Sequence, residues 1–310
     1  MRCSRVARCI GVEAAEAALA SGDARRALSL LDAAKRERRA TATVDVLRAQ
    51  AFLLSNDPMS ARQALLENLR HFPESADARE LLLHVNAALS PMLDLPESVI
   101  RDEPLFAMCY EGIRDHTMLT WPRLLNIFHN VRDVCVDGVE GDVVECGVAG
   151  GGSAVLAALA VRHFDPRGDA STRRVFACDT FEGMPNPTER DVMAQSGERA
   201  EASHWSTGTC SGSADHLARL AAHFGVNVTP VVGLFEQTLP ALPVERVASL
   251  HVDADWHDST VCALEHLYPK LQPHATVQFD DYDYWQGCRE AVDSFLSPEA
   301  RRALKSVDGN

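Results

Sequence analysis

The stretch VVECGVAGGGSAVLAALAV, from Val143 to Val161, decides the fold of this chain. It begins as a short apolar run, passes through a glycine-rich turn and continues as a segment rich in Ala and Leu. These parts predict a buried strand, a turn that small residues permit, and the N-terminus of a helix. Since N–H groups at the start of a helix bind ligands, we expect a nucleotide-type cofactor site here. The alternative is an ordinary strand-to-helix turn.

The composition of this turn limits its ligand. Ala149 interrupts the spacing of a strict G-x-G-x-x-G dinucleotide fingerprint. Glu145 places a carboxylate directly before the turn, which suits a cationic ligand better than a pyrophosphate. The turn alone therefore indicates a cofactor site but does not identify the cofactor.

From Gly141 onward, predicted strands alternate with predicted helices, which is typical of an α/β fold. After the strand in the opening stretch, further strands are predicted at 173–179, 228–232, 247–255 and 275–281, with helices at 153–164, 214–224, 259–271 and 287–296. We predict a Rossmann-like, doubly wound, mostly parallel sheet. The polar stretch 186–213 is long for a connection inside a compact domain, which indicates a functional or disordered loop.

The N-terminal part, from about Val12 to Leu89, has an all-helical pattern instead. Similar residues recur at an offset of 34, as in Ala15/Ala49, Leu19/Leu53, Ser21/Ser55, Asp23/Asp57, Ala27/Ala61 and Leu31/Leu65. This period is typical of tetratricopeptide-like helix–turn–helix repeats, but arrays of that kind normally need about three units. We therefore expect this segment to pack against a third helix, the main domain or another subunit. A plain helical extension is the alternative.

These patterns predict three regions. Residues 1–90 form a small, tetratricopeptide-like all-α domain that precedes the α/β fold. Residues 91–136 comprise a linker, predicted from two prolines between Ser90 and Asp102, and helices that cap the active site. Residues 137–310 form the α/β domain.

Composition excludes several classes of protein. The formal net charge of −14 argues against nucleic-acid and anionic-membrane partners. No apolar run approaches the ~18 residues that span a bilayer. Nine scattered cysteines without a C-x-x-C pair argue against a disulfide framework or a structural zinc site. We expect a cytoplasmic protein.

Acidic residues follow several of the predicted strands, at the edge of the sheet where ligands bind in open parallel folds. Asp179 closes the second strand, where a carboxylate can accept hydrogen bonds from the ribose of a nicotinamide or S-adenosylmethionine cofactor. Asp253 follows the fourth strand, and Asp280 and Asp281 follow the fifth. Three converging carboxylates repel one another unless a cation such as Mg²⁺ lies between them. The alternative for this set, and our interpretation of Asp255, Asp258 and Asp283, is solvated acids on loops.

Several motifs in order resemble the macrocin O-methyltransferase family: VVECGVAGGGS, CDTFEGMPNPTERD, VVGLFEQTLP, LHVDADWHDSTVCALEHLYPKL and FDDYDYWQGCREAVDSF. The resemblance covers roughly Thr117 to Leu296 and leaves out the N-terminal repeats. It implies an S-adenosylmethionine- and Mg²⁺-dependent enzyme that methylates hydroxyl groups of sugars or other small natural products in antibiotic biosynthesis.

The resemblance also implies roles for individual residues. The cofactor would contact Asp179 at its ribose and, towards its methionine end, Glu145, Gly147, Gly151, Ser153 and Asp253. The metal would be held by Asp253, Asp280 and Asp281. His204 is the best match to the proposed base, with His251 and His257 as alternatives, and Asp253 is a second catalytic candidate.

The chain departs from the family pattern at two informative places. Ala149–Gly150 replaces a common Trp-Arg in the cofactor loop, and Trp256–His257 replaces a Leu-Tyr beside the expected acceptor pocket. Both changes leave the metal and ribose acids in place, so they affect the choice of acceptor rather than the reaction class.

We therefore expect an O-methyltransferase with a small-molecule acceptor, such as a glycosylated natural product or vicinal diol. We also expect it to form a homodimer or a higher homo-oligomer. Two alternatives are a nicotinamide-dependent oxidoreductase and a non-catalytic helical-repeat interaction protein with a degenerate methyltransferase domain.

Overall fold

The computed structural model describes residues 3–37, 41–168 and 171–308, with side chains from residue 11 onward. The chain divides into two compact units. The helical unit contains the residues up to Asp94 together with the segments Glu182–Asn186 and His204–Ser211. The sheet unit contains Leu95–Phe181, Pro187–Ser203 and the residues from Gly212 onward.

The helical unit is built from helices that repeat with the predicted period. They are α1 (Cys3–Ala20), α2 (Ala24–Arg36), α3 (Ala42–Leu54), α4 (Pro58–His71) and α5 (Ala76–Leu93). Asp23 and Asp57, 34 positions apart, both cap a helix by accepting a hydrogen bond from the backbone N–H three residues later. Ala27 and Ala61, at equivalent positions, are both fully buried. The 34-residue offset therefore corresponds to a structural repeat, and its relation to tetratricopeptide packing stays a prediction.

The predicted linker at 90–102 is largely helical. Helix α5 runs through Pro91 to Leu93, and α6 (Glu97–Asp102) follows after a short turn. A proline in the last turn removes one backbone donor, and the helix still closes with the N–H of Asp94 donating to the carbonyl of Ser90. The two prolines therefore mark the ends of helices rather than an extended linker.

The sheet unit continues with alternating strands and helices. Its elements are α7 (Pro104–Ile113), α8 (Trp121–Val136), β1 (Asp142–Cys146), α9 (Gly152–Phe164), β2 (Val175–Asp179), α10 (Ala214–Phe224), β3 (Thr229–Val232), α11 (Phe235–Thr238), β4 (Val247–Val252), α12 (His257–Leu267), β5 (Leu271–Phe279), α13 (Gln286–Phe295) and α14 (Pro298–Ala303). Short 3₁₀ turns lie at Arg114–His116, Leu239–Ala241 and Tyr268–Lys270.

The five strands form a parallel sheet in the order β3-β2-β1-β4-β5. Separate hydrophobic clusters cover its two faces: α8, α9 and α10 contribute to one, and the residues around α11 and α12 to the other. The predicted doubly wound α/β fold is confirmed. Among the described residues, no helix is both long and apolar enough to cross a membrane.

Strand β5 begins four residues before its predicted start. Val247 pairs with Leu271 and Ser249 with Thr276, so β5 bulges against β4 between these pairs. The bulge contains Pro273 and also His274, whose φ is 67°. Since β5 lies at the edge of the sheet, a proline and a bulge are tolerated there.

Candidate functional site

Three of the predicted aspartates meet at the carboxyl end of the sheet. One carboxylate oxygen from each of Asp253, Asp280 and Asp281 lies within 4.8 Å of the other two. The backbone N–H of Asp253 donates to Cys146, and that of Asp280 donates to Val252, so both residues continue the hydrogen bonding of the strands. The parallel sheet therefore brings together side chains that are 27 and 28 positions apart in sequence.

Charge makes this cluster unfavourable by itself. Burial and the neighbouring carboxylates of Asp280 and Asp281 hold the pKa of Asp253 well above its usual range. Burial and the charge of Asp280 raise the pKa of Asp281 to about 6. A divalent cation would remove this repulsion, since carboxylate oxygens are the ligands that Mg²⁺ prefers. The residues present therefore fit a hard metal ion.

Asp280 differs from its two neighbours because it has cationic partners. The guanidinium of Arg123, from α8, donates to one oxygen, and Nε2 of His251 lies 3.6 Å from the other. Burial favours the neutral acid, but the positive charges of His251 and Arg123 and the hydrogen bond from Arg123 outweigh it and lower the pKa of Asp280. Asp280 is therefore the carboxyl of the cluster whose ionised form the fold itself stabilises.

His251 connects this cluster to the strand that precedes the glycine turn. Its Nδ1 lies 3.0 Å from Oε1 of Glu145, and both side chains are buried. Burial disfavours the imidazolium, but the adjacent carboxylates of Asp280 and Glu145 raise the pKa of His251 to about 9. The second oxygen of Glu145, Oε2, is buried without a hydrogen-bond partner in the described part of the chain. Such an oxygen is matched by a cationic ligand group, as the sequence indicated.

The glycine turn packs directly against the backbone of Asp253. Gly147 has φ 88°, and a Cβ atom there would lie 1.7 Å from the carbonyl oxygen of Asp253. Neither the backbone angle nor the space permits a side chain. Gly151 precedes the first residue of α9, and Ser153 is buried in its first turn. The residues predicted for the cofactor and for the metal thus lie side by side.

Asp179 ends β2 at the same edge of the sheet. Its Oδ2 accepts hydrogen bonds from the backbone N–H groups of Val148 (2.7 Å) and Ala149 (2.9 Å). Its Oδ1 accepts one from Phe181 at 2.6 Å. Asp179 therefore organises the glycine turn, and its contact with a ribose stays a prediction.

The histidine alternatives occupy different environments. His204 belongs to the helical unit, where its Nδ1 lies 3.1 Å from Oδ2 of Asp32 and its ring packs edge-on against Phe52. His257 begins α12, and its ring contacts Asp258 and Arg190. The assignment of His204 as the base stays a prediction.

Sequence reasoning missed two residues of the site. Arg123 lies in a predicted helix that carries no motif, so no sequence signal marks its contact with Asp280. Asp255 was interpreted as a solvated acid, which is wrong: burial and Asp281 hold its pKa well above the usual range. Its backbone, at φ 55°, donates to Asp281, and its side chain accepts from the indole of Trp285. The neighbouring Trp256 could have suggested a buried segment.

Comparison with known proteins gives a consistent result. Residues 71–309 match the family model described as Macrocin-O-methyltransferase (TylF). The chain is 33% identical to 8-demethyl-8-(2,3-dimethoxy-alpha-L-rhamnosyl)-tetracenomycin-C 4'-O-methyltransferase of Streptomyces olivaceus, over 71% of this chain and 85% of that protein. It is 35% identical to demethyldecarbamoylnovobiocin O-methyltransferase of Streptomyces niveus, over 58% and 67%. It is 33% identical to mycinamicin III 3''-O-methyltransferase of Micromonospora griseorubida, over 58% and 70%.

Solved structures show the same fold. The O-methyltransferase NovP aligns with a TM-score of 0.53 and 28% identity, over 71% of this chain and 93% of that one. The calicheamicin methyltransferase CalS11 aligns with a TM-score of 0.52 and 22% identity, over 74% and 90%, and supports the fold alone.

Proposed function

The chain belongs to the macrocin O-methyltransferase family and is an O-methyltransferase, and on this premise we propose that it methylates a sugar hydroxyl of a glycosylated natural product with the help of a bound divalent cation. The observation that carries the metal dependence is the cluster of Asp253, Asp280 and Asp281, of which the last two are buried and whose carboxylates repel one another. Membership of a methyltransferase family implies S-adenosylmethionine as the methyl donor.

At the expected site of the methyl donor, the chain has a buried carboxylate oxygen that no hydrogen bond satisfies among the described residues. The buried Oε2 of Glu145 suits the ammonium of the methionine moiety of S-adenosylmethionine. Gly147, Gly151 and Ser153 form the turn beside it, and Asp179 would accept from the ribose. His251 holds the other oxygen of Glu145, so it fixes the direction in which Oε2 points.

On the acceptor side, Asp253, Asp280 and Asp281 would hold the cation. Bound there, Mg²⁺ would lower the pKa of an acceptor hydroxyl and orient its oxygen. Arg123 keeps Asp280 ionised, and the backbone N–H of Asp255 holds the carboxylate of Asp281. Both contacts keep carboxylate oxygens directed into the cluster. The hydroxyl proton would pass to a base, for which His204 and Asp253 are the candidates.

The class of acceptor rests on the relatives. Their names specify a rhamnosyl-tetracenomycin, a novobiocin precursor and mycinamicin III, which supports a natural product of related chemistry as the acceptor. Trp256 is fully buried and packs edge-on against Trp285. This departure from the family pattern therefore places a buried aromatic side chain in the segment that follows Asp253, and α12 begins directly after it at His257.

Methyl transfer can be tested directly with demethyldecarbamoylnovobiocin and mycinamicin III as acceptor probes and S-adenosylmethionine as donor. We expect S-adenosylhomocysteine and a product heavier by one methylene unit with at least one probe. EDTA should abolish the reaction and Mg²⁺ should restore it. Unchanged turnover in EDTA would contradict the metal dependence, whereas donor binding without transfer to either probe would contradict the proposed acceptor class.

A further inference from the structure

The helical unit contains a buried network of charged side chains. Nζ of Lys35 lies 2.9 Å from Asp45 and 2.5 Å from Glu67, and Arg48 donates to Asp45 at 3.1 Å and to Asp32 at 2.9 Å. All five side chains are less than a tenth exposed. Three carboxylates thus share two cations. The network carries one excess negative charge, which further hydrogen-bond donors can stabilise.

Hydrogen-bond donors to these carboxylates come from the segment His204–Ser211, which lies between β2 and α10 in sequence. Oε1 of Glu67 accepts from the backbone N–H of Ser211 at 3.1 Å and also from its hydroxyl. The Ser211 hydroxyl lies 2.9 Å from Nε2 of His71, and its carbonyl accepts from Arg70 at 3.2 Å. Helix α4 therefore holds both the main chain and the side chain of Ser211.

At the other end of the segment, His204 meets the same network. Oδ1 of Asp32 is bound by Arg48, and its Oδ2 lies 3.1 Å from Nδ1 of His204. The imidazole also packs edge-on against Phe52, with ring centroids 5.3 Å apart. Because a carboxylate in an ion pair only accepts hydrogen bonds, Nδ1 must carry the proton. When the ring carries only this proton, Nε2 is its acceptor nitrogen.

Between these ends, the segment lies close to the backbone of α2. A Cβ atom on Gly208, whose φ is 80°, would lie 3.2 Å from the carbonyl oxygen of Lys35. The segment also forms backbone hydrogen bonds with Glu182–Asn186. The N–H of Met184 donates to the carbonyl of Thr209, and the N–H of Gly208 donates to the carbonyl of Met184. A side chain at position 208 would therefore strain the backbone and press against α2, and a branched side chain would weaken the packing of the segment on that helix.

From these contacts we propose that the helical unit is an intramolecular peptide clamp, which grips residues 204–211 with its buried ionic network and uses Asp32 to fix the tautomer and orientation of His204. The role of His204 in catalysis rests on the proposed function, whereas the clamp itself does not. Asp32 is then a positioning residue that acts through His204, as an orienting carboxylate does for other catalytic histidines.

Hydrogen–deuterium exchange of the full-length protein tests the clamp. Gly208→Val should speed amide exchange in residues 204–211 by about tenfold or more, because the segment opens locally. Gly197→Val is the matched control: Gly197 also has a positive φ (70°) in the same connection, but a Cβ atom there would meet nothing within 4 Å. Equal exchange of the segment in both variants would refute the clamp.

A second variant tests the clamp independently, in case Gly208→Val does not fold. Ser211→Ala keeps the helices and the ion pairs but removes the hydroxyl contacts with Glu67 and His71. We expect a smaller acceleration of exchange, centred on the C-terminal half of the segment. Wild-type exchange in Ser211→Ala would contradict the role of Glu67 in holding the segment.

The orientation of His204 can be read from its imidazole ¹⁵N chemical shifts. We expect the Nδ1–H tautomer in the wild type and its loss in Asp32→Asn. The Nε2–H tautomer in the wild type, or no change in Asp32→Asn, would overturn the assignment of Asp32. This measurement needs no acceptor.

Turnover with the acceptor probes completes the test. A misplaced catalytic group can lose about 10²-fold in rate, so Asp32→Asn should lower kcat by up to that factor without changing the affinity for S-adenosylmethionine. In a His204→Gln background the same substitution should have no further effect on kcat. An equal loss in both backgrounds would make Asp32 a purely structural residue. Absence of methyl transfer in the wild type would count against the proposed function and leave the exchange and tautomer results valid.

Discussion

Each unit of this protein holds three carboxylates close together in a largely buried position, with opposite consequences for their pKa values. In the helical unit, Lys35 and Arg48 lie between the acids, and Glu67 has a pKa of about 2. In the sheet unit, Asp253 has a pKa well above its usual range, and that of Asp281 is about 6. The residue types are similar, and Asp253 is more exposed than the acids of the helical unit, so the difference in pKa follows from the distribution of positive charge rather than from deeper burial.

In the sheet unit, the positive charge lies beside only one of the three carboxylates. Within the described part of the chain, the cations in contact with the cluster are Arg123 and His251, and both contact Asp280. Asp253 and Asp281 are left to repel each other and Asp280. An acid cluster whose cations lie between its carboxylates is structural, whereas one whose cations all contact a single member, at the end of parallel strands, is a candidate site for an external cation. The positions of the cations thus distinguish the candidate metal site from a salt-bridge network.

The largest expected effect comes from removing two of the three acids of the candidate metal site. Asp280→Ala combined with Asp281→Ala should lower turnover by about 10³-fold or more, because a catalytic metal contributes several kcal/mol to transition-state stabilisation. Calorimetry should show that Mg²⁺ binding is lost while binding of S-adenosylmethionine survives.

Asp283→Ala provides the control for that pair. Asp283 lies two residues beyond Asp281 and is bound to Arg289 at a partly exposed position. Its loss should leave Mg²⁺ binding and turnover near the wild-type values. If the double variant retained turnover like this control, the distinction between the two acid clusters would fail.

A second substitution makes the helical cluster resemble the sheet cluster. Lys35→Met keeps the length of the side chain but leaves Asp45 and Glu67 buried with only Arg48. Breaking a buried ion pair in this way should lower the free energy of unfolding by about 3–5 kcal/mol. Urea denaturation measures the change, and Lys305→Met, at an exposed position, should change it by less than about 0.5 kcal/mol. Comparable losses in the two variants would show that the network contributes little to stability.

Sequence patterns were sufficient to predict the fold and the convergence of Asp253, Asp280 and Asp281, whose roles stay a prediction. The apolar runs before Glu145, Asp179, Asp253 and Asp280 mark parallel strands, and such strands must deliver the residues that follow them to one edge. The 34-residue offset similarly identified the helical repeat. These features are local or periodic, so a single sequence reveals them.

Partners that come from distant helices could not be predicted. Arg123 and Asp280 are 157 positions apart, and Asp32 and His204 are 172 apart, and neither pair lies in a periodic pattern. The sequence likewise could not show whether an acid such as Glu67 has a cation beside it. The pKa of a buried carboxyl depends on such neighbours, so the contrast between the two clusters appears only in three dimensions.

The smallest expected effect is a pH dependence of the helical cluster. Burial alone would raise the pKa of Glu67, but the charges of Lys35 and Arg48 outweigh it and lower the pKa from 4.5 to about 2. A carboxyl whose pKa is lower in the folded state stabilises the fold above its unfolded pKa, and this contribution is lost as pH falls towards the folded value. Between pH 4.5 and about 2, Glu67 should therefore contribute a loss of about 1.4 kcal/mol of unfolding free energy per pH unit. Glu67→Gln lacks the titrating group, so the stability difference between wild type and variant should shrink by roughly 1 kcal/mol between about pH 5 and about pH 3.5 in urea titrations. A difference that stayed constant over this range would mean that Glu67 is not held ionised by Lys35 and Arg48, and the two acid clusters would then be electrostatically alike.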